Sequence, residues 1–190
     1  MAKTINVGEK IKNLRESKNI TREQLSERSG LSIDQIASIE ENTNLPSLAP
    51  LIKIARVIGV RLGTFLDDTE EFGPVVSRKA DLNKSISFSN NAVEMRKHMD
   101  YYSLSKAKSG RHMEPFIIDI IASEDEFALS SHEGEEFIYV LEGKVEVNYG
   151  KENYVLEPGD SIYYDSIVAH HVHSCPDTSA KILAVVYTPI

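Results

Sequence analysis

The chain has 190 residues, enough for one large or two small domains, with 29 acidic against 21 basic side chains and a formal net charge of −8. Cys175 is the only cysteine, so no intrachain disulfide is possible, and the longest apolar run, residues 182–187 (ILAVVY), is far too short to span a bilayer. The opening residues MAKTINVGEK lack the apolar core of a secretion signal, so a soluble cytoplasmic protein is expected. The charge is unevenly spread: residues 1–66 hold ten Lys/Arg and seven Asp/Glu, whereas 67–190 hold eleven and twenty-two. The resulting +3 and −11 predict two domains, with any contact to nucleic acid confined to the first.

Taken in chain order, Val7, Ile11 and Leu14 fall on one face of a first helix. Residues 21–40, TREQLSERSGLSIDQIASIE, then read as two short helices joined by a tight turn. Thr21 with Gln24, and Ser32 with Gln35, form S/T-x-x-Q pairs in which a capping hydroxyl and a returning glutamine satisfy helix N-termini. Gly30 stands between the pairs, where a left-handed helix end is needed, and small Ser26 lets the helices cross closely. Leu25, Leu31, Ile36 and Ile39 supply the apolar seam. A helix-turn-helix of this kind lays its second helix in the DNA major groove, so DNA binding is expected. A fourth helix follows, with Leu48, Leu51, Ile52, Ala55 and Ile58 on one face, Ser47 as cap, Pro50 in the first turn and Gly59 at the end. DDTEEFGP at 67–74 breaks the pattern and opens a linker over 67–83.

From residue 84 onward the chain changes to short β-type runs: SISFS, PFIIDII, EEFIYVL, KVEVNY, NYVL, SIYY and KILAVVYT, separated by Gly, Pro, Asn and Asp. A further strand carries His170, His171 and His173, of which one face alone can point inward. Many short strands at such spacing predict a small all-β barrel or sandwich. The HMEP stretch at 112–115 reads as a strand entry with surface polar residues.

The first third of the chain resembles the XRE (lambda-repressor-like) family. The likeness is carried by INVGEKIKNLRESKNI at 5–20, TREQLSERSGLS, SIEEN, LPSLAPLIKIARVIGV and RLGTFL. It implies an XRE-type DNA-binding domain over 1–66 that contacts an operator through Arg22, Ser32, Ile33, Asp34, Gln35 and Ser38. Arg22 stands where the family usually has Gln, which would keep a phosphate contact but change what is read. Asp34 suits the helix N-terminal dipole and can accept from a cytosine amino group; helix stabilisation is the safer reading.

The second part resembles the cupin family, a double-stranded β-helix barrel. His132, three residues, Glu136, six residues and Gly143 match its first motif; Pro158-Gly159-Asp160, nine residues and His170 match its second. The likeness covers 110–188 within a cupin domain spanning 84–190, with Gly143 and Gly159 making turns. It implies that His132, Glu136 and His170 hold one divalent ion (Fe, Mn, Ni or Zn) as a 2-His-1-carboxylate set. The family's fourth ligand position is here Ser130, which with Tyr139 and Arg96 is expected at an effector pocket; Tyr101 and Tyr102 are further rim candidates. Regular strand geometry through Gly134 would put 130, 132 and 136 on one face. The alternative is a barrel without metal, used as an apolar pocket or a dimerisation surface.

The expected architecture is therefore α+β and multidomain, an all-α helix-turn-helix domain followed by an all-β cupin barrel. The expected function is a non-enzymatic transcription regulator, a homodimer on a double-stranded operator, whose barrel binds a small-molecule effector, mediates dimerisation, or both. The rival is a mononuclear non-haem iron enzyme, since the same pair of domains also resembles the hydroxypropylphosphonate epoxidases.

Overall fold

A computed structural model describes residues 7–41, 47–66, 74–82, 86–89, 97–108, 111–122, 127–176 and 178–188. Residues 67–73 and 83 of the expected linker, and Arg96, lie outside the described residues. Within these limits the expected α+β arrangement is observed: helices first, strands afterwards.

The helices are α1 (Val7–Ser17), α2 (Arg22–Ser29), α3 (Ile33–Glu40), α4 (Leu48–Ile58) and the short α5 (Gly63–Leu66). Ile11, Leu25, Ile36, Ile39, Ile54, Ile58 and Phe65 are almost wholly buried and form their common core. Gly8 lets α1 cross the end of α3, because a Cβ there would collide with the Ile39 and Glu40 carbonyls. Under that crossing lies a buried ion cluster. Arg15 reaches Glu40 through Nε at 2.5 Å and Nη2 at 3.1 Å, and Arg22 Nε reaches it at 2.8 Å. Gly59 closes α4 in the left-handed conformation as expected. Ser47 occupies the N-cap position, but its side chain makes no capping bond.

After a 3-10 turn at Lys79–Asp81 come the strands β1 (Ile86–Ser89), β2 (Lys97–Ser103), β3 (Met113–Ile120), β4 (Glu135–Glu142), β5 (Val145–Tyr149), β6 (Glu152–Leu156), β7 (Ser161–Asp165), β8 (His170–Ser174) and β9 (Ala180–Tyr187). They form a six-stranded sheet in the order β1-β2-β3-β9-β4-β7 and a three-stranded sheet in the order β6-β5-β8, all antiparallel. Strand β2 is not among the runs read from sequence. Alternation decides which residues face inward. On β9 these are Ala180, Ile182, Ala184 and Val186; on β3, Phe116, Ile118 and Ile120; on β4, Ile138 and Val140.

The two regions meet through polar contacts. Arg61 Nη1 donates to the Arg111 carbonyl at 2.9 Å, and Arg56 on α4 pairs with Glu133. Glu114, expected at the surface, is buried: Arg111 Nε pairs with it at 2.8 Å, and the pair packs against Gly63. No helix among the described residues is long and apolar enough to cross a membrane.

Candidate functional site

The elbow between α2 and α3 is assembled as its sequence predicts. Thr21 Oγ1 accepts from the Gln24 N–H at 3.2 Å while Gln24 Oε1 accepts from the Thr21 N–H at 2.9 Å. Ser32 and Gln35 repeat the arrangement at 3.1 and 2.9 Å. Gly30 takes φ 71°, closes α2 on Ser26, and allows Ser26 Oγ to donate to the Leu31 carbonyl at 2.6 Å. Both ends of the turn are thereby fixed before any ligand arrives.

Ser32, Ile33, Asp34 and Gln35 are exposed on the first turn of α3, and Ser38 is half-buried on the next. Ile33 is an apolar side chain left in solvent at 44% exposure. The capping bond occupies Gln35 Oε1 and leaves its NH2 group available to donate. Arg22, expected at a phosphate, is also engaged within the domain. Its Nε is committed to Glu40, and its Nη2 lies 3.8 Å from Glu41.

In the barrel, His132, Glu136 and His170 come together, their ligand atoms all within 4.8 Å of one another. They do so through an irregular segment. Gly134 has φ 111°, and a Cβ there would overlap the Tyr187 carbonyl, so a bend and not a regular strand brings His132 over Glu136. Register supplies the rest: Glu136 pairs with Tyr164 across β4 and β7, and Ser130 bridges His170 through two backbone hydrogen bonds.

Each histidine donates through Nδ1 to a carbonyl, His132 to Glu133 at 2.9 Å and His170 to Val168 at 2.8 Å. That fixes the rings and turns each Nε2 toward Glu136 Oε1, at 2.7 Å and 3.4 Å. A proton or a metal ion must sit between an imidazole nitrogen and a carboxylate at such distances. The donor set, with its backbone-anchored rings, fits a divalent ion. Tyr164 Oη donates to Glu136 Oε2 at 2.8 Å, and Ser166 Oγ to Oε1 at 3.4 Å. Burial pushes the Glu136 carboxyl up, but the hydrogen bonds from His132 and His170 outweigh it and hold the group well below the usual carboxylate range. Burial lowers the His170 ring, and Glu136 more than restores it, so the net shift is upward. The Tyr164 and Tyr101 hydroxyls are both raised, by burial first and by the Glu136 charge second.

The cluster opens on a cavity of about 610 Å³ lined by both domains. Of the residues expected at an effector pocket or its rim, Ser130 and Tyr101 line this cavity. Tyr139 does not: it shares β4 with Glu136 but has the opposite parity, and lies 38% exposed on the outer face. Arg96 is outside the described residues. Tyr164, Ser166 and Lys53 were missed in the sequence. Pairing SIYY against EEFIYVL would have found Tyr164, whereas Lys53 depends on how α4 faces the barrel across the cavity.

Fold and cluster together define a two-domain protein, a helix-turn-helix unit joined to a barrel in which His132, Glu136 and His170 lie together. Family comparison agrees, matching a helix-turn-helix over residues 11–65 and a cupin domain over 116–186. The chain is 24% identical over 186 residues to the HTH-type transcriptional regulator PuuR of Escherichia coli, covering 96% of this chain and 94% of that one. It is 31% identical over 106 residues to the HTH-type transcriptional regulator SinR of Bacillus licheniformis, covering 53% of this chain and 95% of that one. Against the (S)-2-hydroxypropylphosphonic acid epoxidase of Streptomyces wedmorensis the identity is 28% over 152 residues, 73% of each chain. The crystal structure of an HTH_3 family transcriptional regulator from Vibrio cholerae superposes with a TM-score of 0.69 at 20% identity, covering 98% of this chain and 97% of that one. The chain belongs to the XRE-type helix-turn-helix transcriptional regulators and carries a cupin domain in its C-terminal part.

Proposed function

We propose that this DNA-binding regulator reads an operator through α3 and senses a small molecule in the barrel, without enzymatic turnover. The observation that carries the reading is the α2–α3 elbow: two complete capping boxes present Ser32, Ile33, Asp34 and Gln35 outward on a domain of net charge +3. Residues 1–66 form the DNA-binding domain, 67–83 the linker and 84–190 the sensing domain. As a homodimer the protein would address two half-sites about 34 Å apart, one turn of the duplex.

Selection on random DNA followed by binding measurements tests this. Replacing Gln35 and Ser38 by Ala is expected to weaken the selected site by about 1–3 kcal/mol per lost base contact. A melting curve separates that loss from any loss of helix stability when Gln35 Oε1 no longer accepts from the Ser32 N–H. A double variant that folds and binds like wild type refutes the assignment of α3.

A second reading is favoured by the His132–Glu136–His170 set and the likeness to the epoxidase. There the three side chains would hold iron, which supplies oxygen activation, while Tyr164 and Ser166 fix the carboxylate. Turnover of 2-hydroxypropylphosphonate by the iron-loaded protein would decide for it; absence of turnover with DNA binding intact decides against.

A further inference from the structure

The cavity above the His–Glu–His cluster crosses the domain boundary. Its inner wall is apolar, with Ile118, Ile120, Ile138 and Ile182 from the barrel, and its roof includes Leu31, Gln35 and the first two turns of α4. One cation stands on this wall among the described residues: Lys53, half-buried on α4, with no ion-pair partner among them. Lys53 also lines a second, smaller cavity of about 230 Å³, where Arg56 and Arg61 join it, and the two cavities meet at Lys53, Ser131 and His132.

Among the described residues, the acids nearby are already engaged. Glu136 is held by two histidines and Tyr164, and Glu133 by Arg56. Among the described residues, a cationic ligand would meet Lys53 with no free carboxylate on the wall to balance it, whereas an anionic ligand meets an ammonium that has no ion-pair partner among them. A volume of about 610 Å³ with apolar walls suits an organic molecule and not a bare ion. Two deeper polar groups on the same wall, Ser174 Oγ at 2% exposure and His173 Nδ1, have no hydrogen-bond partner among the described residues. Such groups are rarely left alone, and here they offer polar contacts to a bound molecule.

We propose that this interdomain cavity binds a small organic acid, its anionic head on Lys53 and its apolar body against the barrel wall. Lys53 belongs to the helical domain, so the acid ties α4 to the barrel, and Leu31 and Gln35 at the start of α3 share the same roof. The site stands on geometry alone; its regulatory meaning rests on the regulator reading above.

The full-length protein as purified is titrated calorimetrically with straight-chain carboxylates from butyrate to decanoate, each paired with its primary amide. At least one acid is expected to bind at least tenfold tighter than its amide. Lys53→Met, which keeps the chain length and removes the charge, is expected to weaken that acid at least tenfold, and Lys53→Arg to retain most of the affinity. Circular dichroism checks that both variants fold. No binding by any acid, equal binding of acid and amide, or wild-type affinity in Lys53→Met overturns the proposal. If Glu136→Ala abolishes binding while Lys53→Met does not, the head sits on the His–Glu–His cluster and the assignment is equally overturned. Anisotropy on the selected DNA separates the two readings: acid binding without DNA binding sinks the regulator and spares the site, and DNA binding without acid binding does the reverse.

Discussion

Glu40 shows how a single side chain governs the helical domain. Its carboxylate is fully buried between Arg15 and Arg22. Burial pushes its pKa up, but the Arg15 and Arg22 hydrogen bonds prevail and leave it below the ordinary value of 4.5. A carboxyl depressed by folding contributes stability that is present above its unfolded pKa and is lost as pH falls through the folded one. Urea unfolding of the wild type should therefore weaken progressively below about pH 4.5. Glu40→Ala should remove about 3–5 kcal/mol at neutral pH, because two arginines lose their shared partner, and should flatten the acid limb of the profile. An unchanged acid limb in that variant would show that other carboxylates set it. In the barrel, Glu136→Ala should eliminate stoichiometric divalent metal in a loading assay with Fe(II), Mn(II), Ni(II) or Zn(II). Glu133→Ala, which spares the three ligands, should not.

At the level of elements, the structure turns on two glycines. Gly30 is required for the α2–α3 elbow, and its substitution by Ala should cost about 1 kcal/mol from the left-handed backbone alone, read as a lower melting temperature. Gly134 is stricter, since positive φ combines there with a steric clash against the Tyr187 carbonyl. Gly134→Ala should lower stability and metal occupancy together, whereas Gly30→Ala should leave occupancy untouched.

The same contrast explains what the sequence made legible. The elbow is local, so capping pairs and Gly30 announced it. The grouping of His132, Glu136 and His170 was also readable, by likeness to the cupin motifs, yet the reason they converge was not: the strand geometry through Gly134, on which a shared face depends, is broken by a bend. Tyr139 failed as a pocket residue because its parity on β4 is opposite to that of Glu136. Strand β2 was missed because Lys97, His98 and Asp100 dilute its apolar signal, though Tyr101 and Ser103 face inward. Glu114 looked like a surface residue until Arg111 folded back on it.

For the whole molecule, the strands bury an apolar face of their own, with Phe116, Ile118, Ile138, Val140, Ile182 and Val186, which predicts that a fragment from Asp81 to Ile190 folds alone. It should be soluble, β-rich by circular dichroism and cooperative on melting. The fragment would lose the Arg56 and Arg61 contacts, the packing of Gly63 on the Arg111–Glu114 pair and the helical roof of the cavity; an unfolded fragment would mean that the helices complete the barrel's core.

Helix α4 has a consequence for anyone recombining such proteins. It presents Leu51, Ile54 and Ile58 to the helical core while Lys53 lines the cavity. Because a helix advances about 100° per residue, inserting or deleting one residue between Ser47 and Lys53 would swing one of these faces out of place. A chimera that grafts a foreign DNA-reading unit onto this barrel, cut anywhere after α4, would discard the chamber's ceiling along with the operator preference. The graft should recognise new DNA and no longer answer to the old ligand.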